Sequence, residues 1–487
     1  MWELEEIERG LLASLLLSYN DLPSIIKRCF SYCAVFPKDY TINKEKLIQL
    51  PNKEMDIIGK ECFDIIARRS FFQEFVKNDD DEILSCKMHD IVHDFAQFLS
   101  KNECFTVEID GREEPFIDSL GQNVRHSMVK LGKGAPFPIS FCSVKRLRSL
   151  LIDDNGDDEF WLTEVLPQLF DELTCLRALD FAMFQMWSWN GFIKEIPKNI
   201  EKLVHLRYLN LSRLKIEKLP ETLCELYNLQ LLNVESCQDL KELPQGFGKL
   251  INLMYLLNRG TESLRYLPAG IERLTSLRRV EKFVVGRGVA RSSELENKKN
   301  LIDLLLYFGH GNEERKRKKD EEVLEALQPP PNLKHLGIHQ YRGNNVHPHW
   351  MMSLTDLRIL TLSHCINCEH LPPLGKLPSL EQLYFYSMGS VKRVGDEFLG
   401  VESDHGRASS SVVAFPKLKT IQFWDMYVLK EWDYGDTIKG EIMPRLSSLC
   451  IARCPTLRAL PDHLLQTTTL QKLEIWGCPN LQKQYRR

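Results

Sequence analysis

From Leu147 to the end of the chain, apolar residues return in one phrase, L-x-x-L-x-L-x-x-(C/N). It reads Leu147-Leu150-Ile152-Asn155, Leu229-Leu232-Val234-Cys237, Leu357-Leu360-Leu362-Cys365, Leu446-Leu449-Ile451-Cys454 and Leu470-Leu473-Ile475-Cys478. Leu206 to Leu229 is a step of 23 residues, and Leu333 to Leu357 and Leu446 to Leu470 are steps of 24. That is the period of a leucine-rich repeat, one short strand plus a returning turn or helix per coil. A unit this short cannot bury its apolar side alone, so the pattern predicts a solenoid whose coils cover one another.

Each slot of the phrase has a physical task. The three Leu/Ile/Val positions should point inward and stack on their counterparts above and below. The ninth position, filled by Asn155, Cys237, Cys365, Cys454 or Cys478, should turn a small polar side chain under the bend. There it can bond backbone that the strand has stopped pairing, which otherwise costs roughly 1–3 kcal/mol. Leu214, Tyr341, Met388 and Met426 occupy that slot elsewhere, so the solenoid should be irregular. A second phrase, (I/L)-x-x-L-P, ends at Pro197, Pro220, Pro244, Pro268 and Pro461, and proline there ends a strand and sets the turn into a short helix.

Residues 1–110 follow a different rule. Helical apolar patterns cover Leu11 to Leu17, Leu22 to Cys33, Lys44 to Leu50, Met55 to Arg68 and His89 to Leu99; in the last, Ile91, Phe95, Phe98 and Leu99 read as one face. Phe71 to Val76 and Ile83 to Met88, joined by the acidic turn Asn78 to Glu82, read as a hairpin. The expected fold is therefore α/β. A mainly helical winged-helix-like domain (1–110) leads through a linker (111–145) into a leucine-rich-repeat solenoid (146–487).

Composition narrows the function classes. A net charge of −4 gives no argument for nucleic acid or a membrane surface. The longest apolar runs, Leu11 to Leu17 and Leu301 to Phe308, are too short to span a bilayer, and no secretory signal opens the chain. Of 14 cysteines four take ladder positions and others, such as Cys29, Cys33 and Cys62, lie in apolar helical context, so free thiols in a reducing compartment are expected. Cys365 and Cys368 have C-x-x-C spacing, but no second pair stands nearby in sequence, and a structural zinc needs four ligands. Arg315 to Lys319 is flanked by Glu313-Glu314 and Asp320-Glu321-Glu322, which nearly cancels its charge, and it reads as an exposed insertion loop where the period breaks between 277 and 333.

The amino-terminal phrases carry a family resemblance. Leu15-x-x-Ser18-Tyr19-x-x-Leu22-Pro23, then Lys27-Arg28-Cys29-Phe30-x-Tyr32-Cys33-Ala34-x-Phe36-Pro37-Lys38-Asp39-Tyr40-x-Ile42, Arg69-Ser70-Phe71-Phe72 and Met88-His89-Asp90 stand in order. Together with the repeats, they resemble plant intracellular nucleotide-binding, leucine-rich-repeat disease-resistance receptors, nearest the coiled-coil class. The resemblance covers essentially the whole chain. It implies a switch that rests with ADP, exchanges it for ATP on effector detection, oligomerises and signals cell death. Met88, His89 and Asp90 match the family's MHD motif, in which the histidine reaches the nucleotide's β-phosphate; Asp90 would orient that loop and could cap the following helix.

Two departures qualify that expectation. No G-x-x-x-x-G-K-[ST] occurs, since Gly246 to Leu250 and Gly375 to Leu377 lack its spacing and hydroxyl; the coiled coil, phosphate loop and acidic metal-binding strand would all precede Met1. One charge-assisted hydrogen bond contributes roughly 1.5–3 kcal/mol, whereas micromolar affinity needs about 8 kcal/mol. The chain as written is therefore expected to hold no cofactor, ADP and ATP belonging to the full-length family. After Leu50 the sequence moves straight to Pro51, as though about ten residues of the family's tryptophan-containing segment were missing. A weakened winged-helix core and a truncated or mis-spliced product are the expected readings.

The other candidate site is the strand face. Tyr386, Trp424 and Trp476 follow the third apolar position in three of the last four units, Ala452 takes that slot in the fourth, and Tyr384 stands two residues before Tyr386. Aligned exposed aromatics would give binding hot spots worth about 2 kcal/mol or more each. The alternative is that they cover one another or lie under the inserts at 387–417 and 425–445. Two functions remain from the sequence. One is a cytoplasmic plant immune-receptor fragment that recognises a pathogen effector or guarded host protein and docks on its own nucleotide-binding domain. The other is a free-standing repeat adaptor such as a ubiquitin-ligase substrate selector. No nucleophile–base or paired-carboxylate motif argues for an enzyme.

Overall fold

The computed structural model describes residues 6–49, 55–78, 82–100, 103–110, 123–132, 135–154, 160–181, 193–285, 295, 297–309, 314–400, 412–434 and 440–485. The chain forms two units, residues 1–253 with 260–263 and residues 254–259 with 264–487.

The first unit begins with α1 (Glu6–Asn20), α2 (Ser24–Tyr32), β1 (Ile42–Asn43), α3 (Lys44–Gln49) and α4 (Met55–Arg68). β2 (Phe72–Lys77), β3 (Ile83–Met88) and α5 (Asp90–Ser100) follow. β1, β3 and β2 make a small antiparallel sheet with β3 in the middle, and Phe72 faces Met88 across the expected hairpin. Phe30 holds this winged-helix core together, with ring centroids 4.7 Å from Phe71, 5.6 Å from Tyr19 and 6.0 Å from Phe95. Aromatic contacts of that kind add to the burial of each ring.

The apolar stripe on α5 differs from expectation. Val92, Phe95 and Ala96 are buried, whereas Ile91 is 39% exposed and Phe98 72%. The buried face runs through Val92, His93, Phe95 and Ala96, with His93 Nε2 2.7 Å from the Phe36 carbonyl. The gap expected after Leu50 falls outside the described residues.

The solenoid sheet starts earlier than its leucine phrase. β4 (Cys104–Ile109) and β5 (His126–Leu131) are already parallel partners, followed by β6 (Ser149–Asp154), β7 (Ala178–Asp180), β8 (Tyr208–Asn210) and β9 (Leu231–Asn233). β5 thus lies in the stretch expected as a linker, and β4 in the last residues assigned to the winged helix. Thr106 Oγ1 donates to the Val35 carbonyl at 2.8 Å, and Met128 and Leu151, from the open side of β5 and β6, belong to the winged-helix core. The winged helix therefore sits on the strand face of the first coils.

In the second unit parallel strands run over Tyr255–Leu257, Arg279–Val285, Asp303–Phe308, His335–His339, Ile359–Ser363, Gln382–Tyr386, Thr420–Trp424, Ser448–Ala452 and Lys472–Trp476. The sheet continues through the stretch where the period breaks. The basic run there is helical rather than a loop, lying in the helix Glu314–Ala326.

The coil interior matches the phrase. Leu229, Leu232, Val234 and Leu240 are fully buried, as are Leu357, Leu360 and Leu362, each contributing roughly 1.5–3 kcal/mol. The ladder thiols reach the preceding coil: Cys237 Sγ donates to the Leu211 carbonyl at 3.0 Å, Cys454 to Phe423 at 3.7 Å and Cys478 to Ile451 at 3.5 Å. Asn155 lies outside the described residues. All 14 cysteines are free thiols. Cys365 and Cys368 bond backbone carbonyls, and no cluster of metal-ligating groups occurs among the described residues. Pro197, Pro220 and Pro244 each cap a short 3-10 helix, as the second phrase predicts.

One backbone feature was not anticipated. The residue before the ladder slot is left-handed coil after coil, at Arg213, Ser236, Gly260, Gln340, His364, Ser387, Asp425, Arg453 and Gly477. A side chain there costs roughly 1–2 kcal/mol. The twist aims the amide at the next coil, with bonds from Arg213 to the Glu235 carbonyl at 2.7 Å, His364 to Tyr386 at 2.8 Å and Arg453 to Trp476 at 2.7 Å. It also swings the next residue under the bend.

Candidate protein-interaction face

Alternate residues of each strand leave the interior of the coil, so position in the phrase fixes which side chains share the open face. In the second unit the register aligns Ser363, Tyr386, Trp424, Ala452 and Trp476 in one row, with Thr361, Tyr384, Gln422, Cys450 and Glu474 beside it. Tyr384 and Tyr386 stack with centroids 6.4 Å apart, and Trp424 lies 6.4 Å from Tyr386 at a tilt of 37°. Their polar ends are held from the same strands, Tyr384 Oη donating to Gln382 Oε1 at 3.1 Å and Trp424 Nε1 to Gln422 Oε1 at 3.2 Å. The three rings are half-buried against each other, so the covering alternative holds in part. Trp476 is separated from Trp424 by Ala452 and is 58% exposed.

The row extends further than the sequence reading took it. Tyr307 and His339 hold the same offset and stack at 4.5 Å and 4°, and Lys282 Nζ sits 5.4 Å from the Tyr307 ring centre. Counting one residue past Leu306 and past Ile338 finds both, but the broken period hid the count. Arg259, Asp303, His339, His364, Tyr384 and Tyr386 help line an open concavity of ≈ 700 Å³. Its charged end is built on Asp303, which bonds Arg279 Nε at 2.6 Å and pairs with His335. Burial pushes the Asp303 carboxyl upward, but His335 and Arg279 outweigh it and hold the group below its ordinary range. His339 is pushed down to about 4, first by burial and then by Arg259 and His364, so its ring is neutral at pH 7.

The second candidate site lies in the first unit. Met88 is buried at the end of β3, while His89 and Asp90 are exposed at the start of α5. The capping bond expected from Asp90 comes instead from His89, whose Nδ1 accepts the Ile91 amide at 3.3 Å. That assigns the proton of a neutral ring to Nε2, which is left as a donor. One such donor suits an anion, but it is a single contact.

A three-stranded winged helix leads into a parallel leucine-rich-repeat sheet, and the family models agree with both halves. The "Disease resistance protein Winged helix domain" matches residues 35–96 and the "R13L1/DRL21 LRRs" match residues 266–388. An Arabidopsis thaliana disease resistance protein is 36% identical across 96% of this chain and 35% of its own length. Disease resistance protein RGA2 of Solanum bulbocastanum is 32% identical across 97% of this chain and 48% of its own. Its homologues over nearly the whole chain are thus plant disease-resistance proteins, of whose length the chain spans about a third to a half. Among solved structures, a leucine-rich-repeat protein of Leptospira interrogans aligns with TM-score 0.46 and 18% identity, covering 76% of this chain and 91% of that one. No helix among the described residues is long and apolar enough to cross a membrane.

Proposed function

We propose that this chain is the sensing part of a plant defence receptor, which recognises a pathogen effector or guarded host protein on the strand face of its second unit. The observation that carries the reading is the row Tyr384, Tyr386 and Trp424, three large rings fixed by one another and by Gln382 and Gln422. Aromatics that are already ordered lose little side-chain freedom on binding, which is how hot spots arise. Trp476 acts as an outlying anchor. In the resting receptor the same face docks on the protein's own nucleotide-binding domain, and Met88, His89 and Asp90 report the bound nucleotide, His89 Nε2–H facing the phosphate of ADP. His89 supplies one charge-assisted contact, too weak by itself to hold ADP, and the remaining contacts are assigned to the rest of the full-length receptor. The activity is recognition rather than catalysis, and the site of action is the cytoplasm. Homology that includes the winged helix favours this reading over a free-standing adaptor.

Partners selected by two-hybrid screening of effector libraries against the whole chain provide the test. Tyr386→Ala and Trp424→Ala should each weaken a selected partner about 30-fold, from the roughly 2 kcal/mol of a hot spot. Tyr227→Ala, at an exposed tyrosine in the first unit, should leave it unchanged. Partners that bind the aromatic variants at full strength would count against the assignment.

A further inference from the structure

The strand-starting position of the first unit carries arginine in four consecutive coils: Arg125, Arg148, Arg177 and Arg207. They form a physical column. The Arg148 amide donates to the Arg125 carbonyl at 2.6 Å, Arg177 to Arg148 at 2.7 Å, and Arg207 to Arg177 at 2.8 Å. Neighbouring strands lie about 4.8 Å apart, so the four side chains leave the sheet along a line of roughly 14 Å. One carboxylate meets the column, at its end, where Glu103 lies 3.5 Å from Arg125. Arg148, Arg177 and Arg207 form no ion pair among the described residues. Arg177 is exposed and the other three are half-buried.

Asp180 is fully buried and taken by Tyr208 Oη and Asn210 Nδ2, both at 3.0 Å; Asp153 is buried as well. Two neighbouring groups register the field. His126 sits beside the column, its Nδ1 3.0 Å from Ser149 Oγ and its ring edge-on to Tyr32. It is pushed down to about 4 by burial, then by Arg148, Arg125 and Arg177. The Arg148 guanidinium is itself pushed below its ordinary value by burial, Arg125 and Arg177. Like charges stacked this closely repel, and planar forks with free donors match phosphate oxygens two at a time.

We propose that Arg125, Arg148, Arg177 and Arg207 form a binding site for an oligophosphate, a ligand presenting several phosphate groups a few ångströms apart. Bridging adjacent guanidiniums satisfies their donors and removes their repulsion together, which a single carboxylate cannot do. The site is distinct from the aromatic row and from His89.

Calorimetry on the whole chain with inorganic tripolyphosphate at 150 mM salt tests the site. Saturable binding is expected, at least tenfold tighter than that of orthophosphate. Arg148→Gln with Arg177→Gln should weaken it about 100-fold, tenfold for each lost charge-assisted contact. The matching Lys pair should recover only part, because it restores charge without the fork. Arg278→Gln with Lys334→Gln, at the same coil position in the second unit, should bind like the native chain. Bound tripolyphosphate should also raise the His126 pKa, read by NMR titration of the ring. Absence of saturable binding, or undiminished binding by the Gln pair, overturns the site. Equal affinity for hexaglutamate overturns the phosphate assignment.

Discussion

Lowering the pH from 7 to about 4 is expected to remove about 3 kcal/mol of stability through each of two imidazoles, His126 in the first unit and His339 in the second. Both are pushed from 6.5 down to about 4, chiefly by burial. Arg148, Arg125 and Arg177 add to the effect at His126, and Arg259 and His364 at His339. The unfolded rings take up protons as pH falls through about 6.5, while the folded rings refuse them until about 4. Stability is therefore complete above 6.5 and drains away over that window. A difference of about 2.5 pKa units corresponds to about 3 kcal/mol. Urea unfolding at pH 7.5 and 4.5 measures the loss, and His126→Gln or His339→Gln, which cannot titrate, should each shrink it by 2–3 kcal/mol. An acid loss of unchanged size in both variants would show that other groups control it.

The second large effect concerns the helix Glu314–Ala326. Asp320 binds Arg342 with two bonds, at 2.6 Å to Nε and 2.8 Å to Nη2, and the side chains are only 8% and 13% exposed. Asp320→Ala removes a two-bond carboxylate partner from a buried guanidinium and is expected to destabilise the second unit by about 3–5 kcal/mol. Pairing Asp320→Leu with Arg342→Met should recover most of that loss, because the expense lies in keeping a charge buried after its carboxylate is removed rather than in the missing bridge. Thermal or urea unfolding decides the matter. A single variant costing under 1 kcal/mol, or a double variant no better than the single, would sink the account.

These two sites also show what the sequence could and could not convey. The leucine columns, the thiol ladder and the aromatic row were legible because each depends on a fixed offset within a repeat, and parallel register keeps such offsets aligned. The first two coils were not, because β4 and β5 turn their open side to the winged helix. Residues such as Met128 are then apolar where the phrase expects polar ones, and the alternation disappears. On α5 the buried face takes in His93 and excludes Ile91 and Phe98. Charge cancellation around Arg315–Lys319 spoke only to exposure; it was silent on backbone conformation, and those residues open a helix. The arginine column also keeps a fixed offset, one residue before each strand, but its members lie 23 to 30 residues apart and no single repeat displays the column.

The ladder thiols have a practical consequence. Burial pushes the ladder thiol Cys237, and Cys86 and Cys104 outside the ladder, up to about 12, so the folded protein keeps them protonated and unreactive toward alkylating reagents, whereas the bond with Cys454 draws the ladder thiol Cys478 down to about 7. Cys175 alone is exposed among the cysteines. Timed labelling with iodoacetamide, read by mass spectrometry, should therefore modify Cys175 at once and Cys86, Cys104 and Cys237 only when the segment that buries each one opens. The protein carries a built-in chronometer for the order in which its coils come apart.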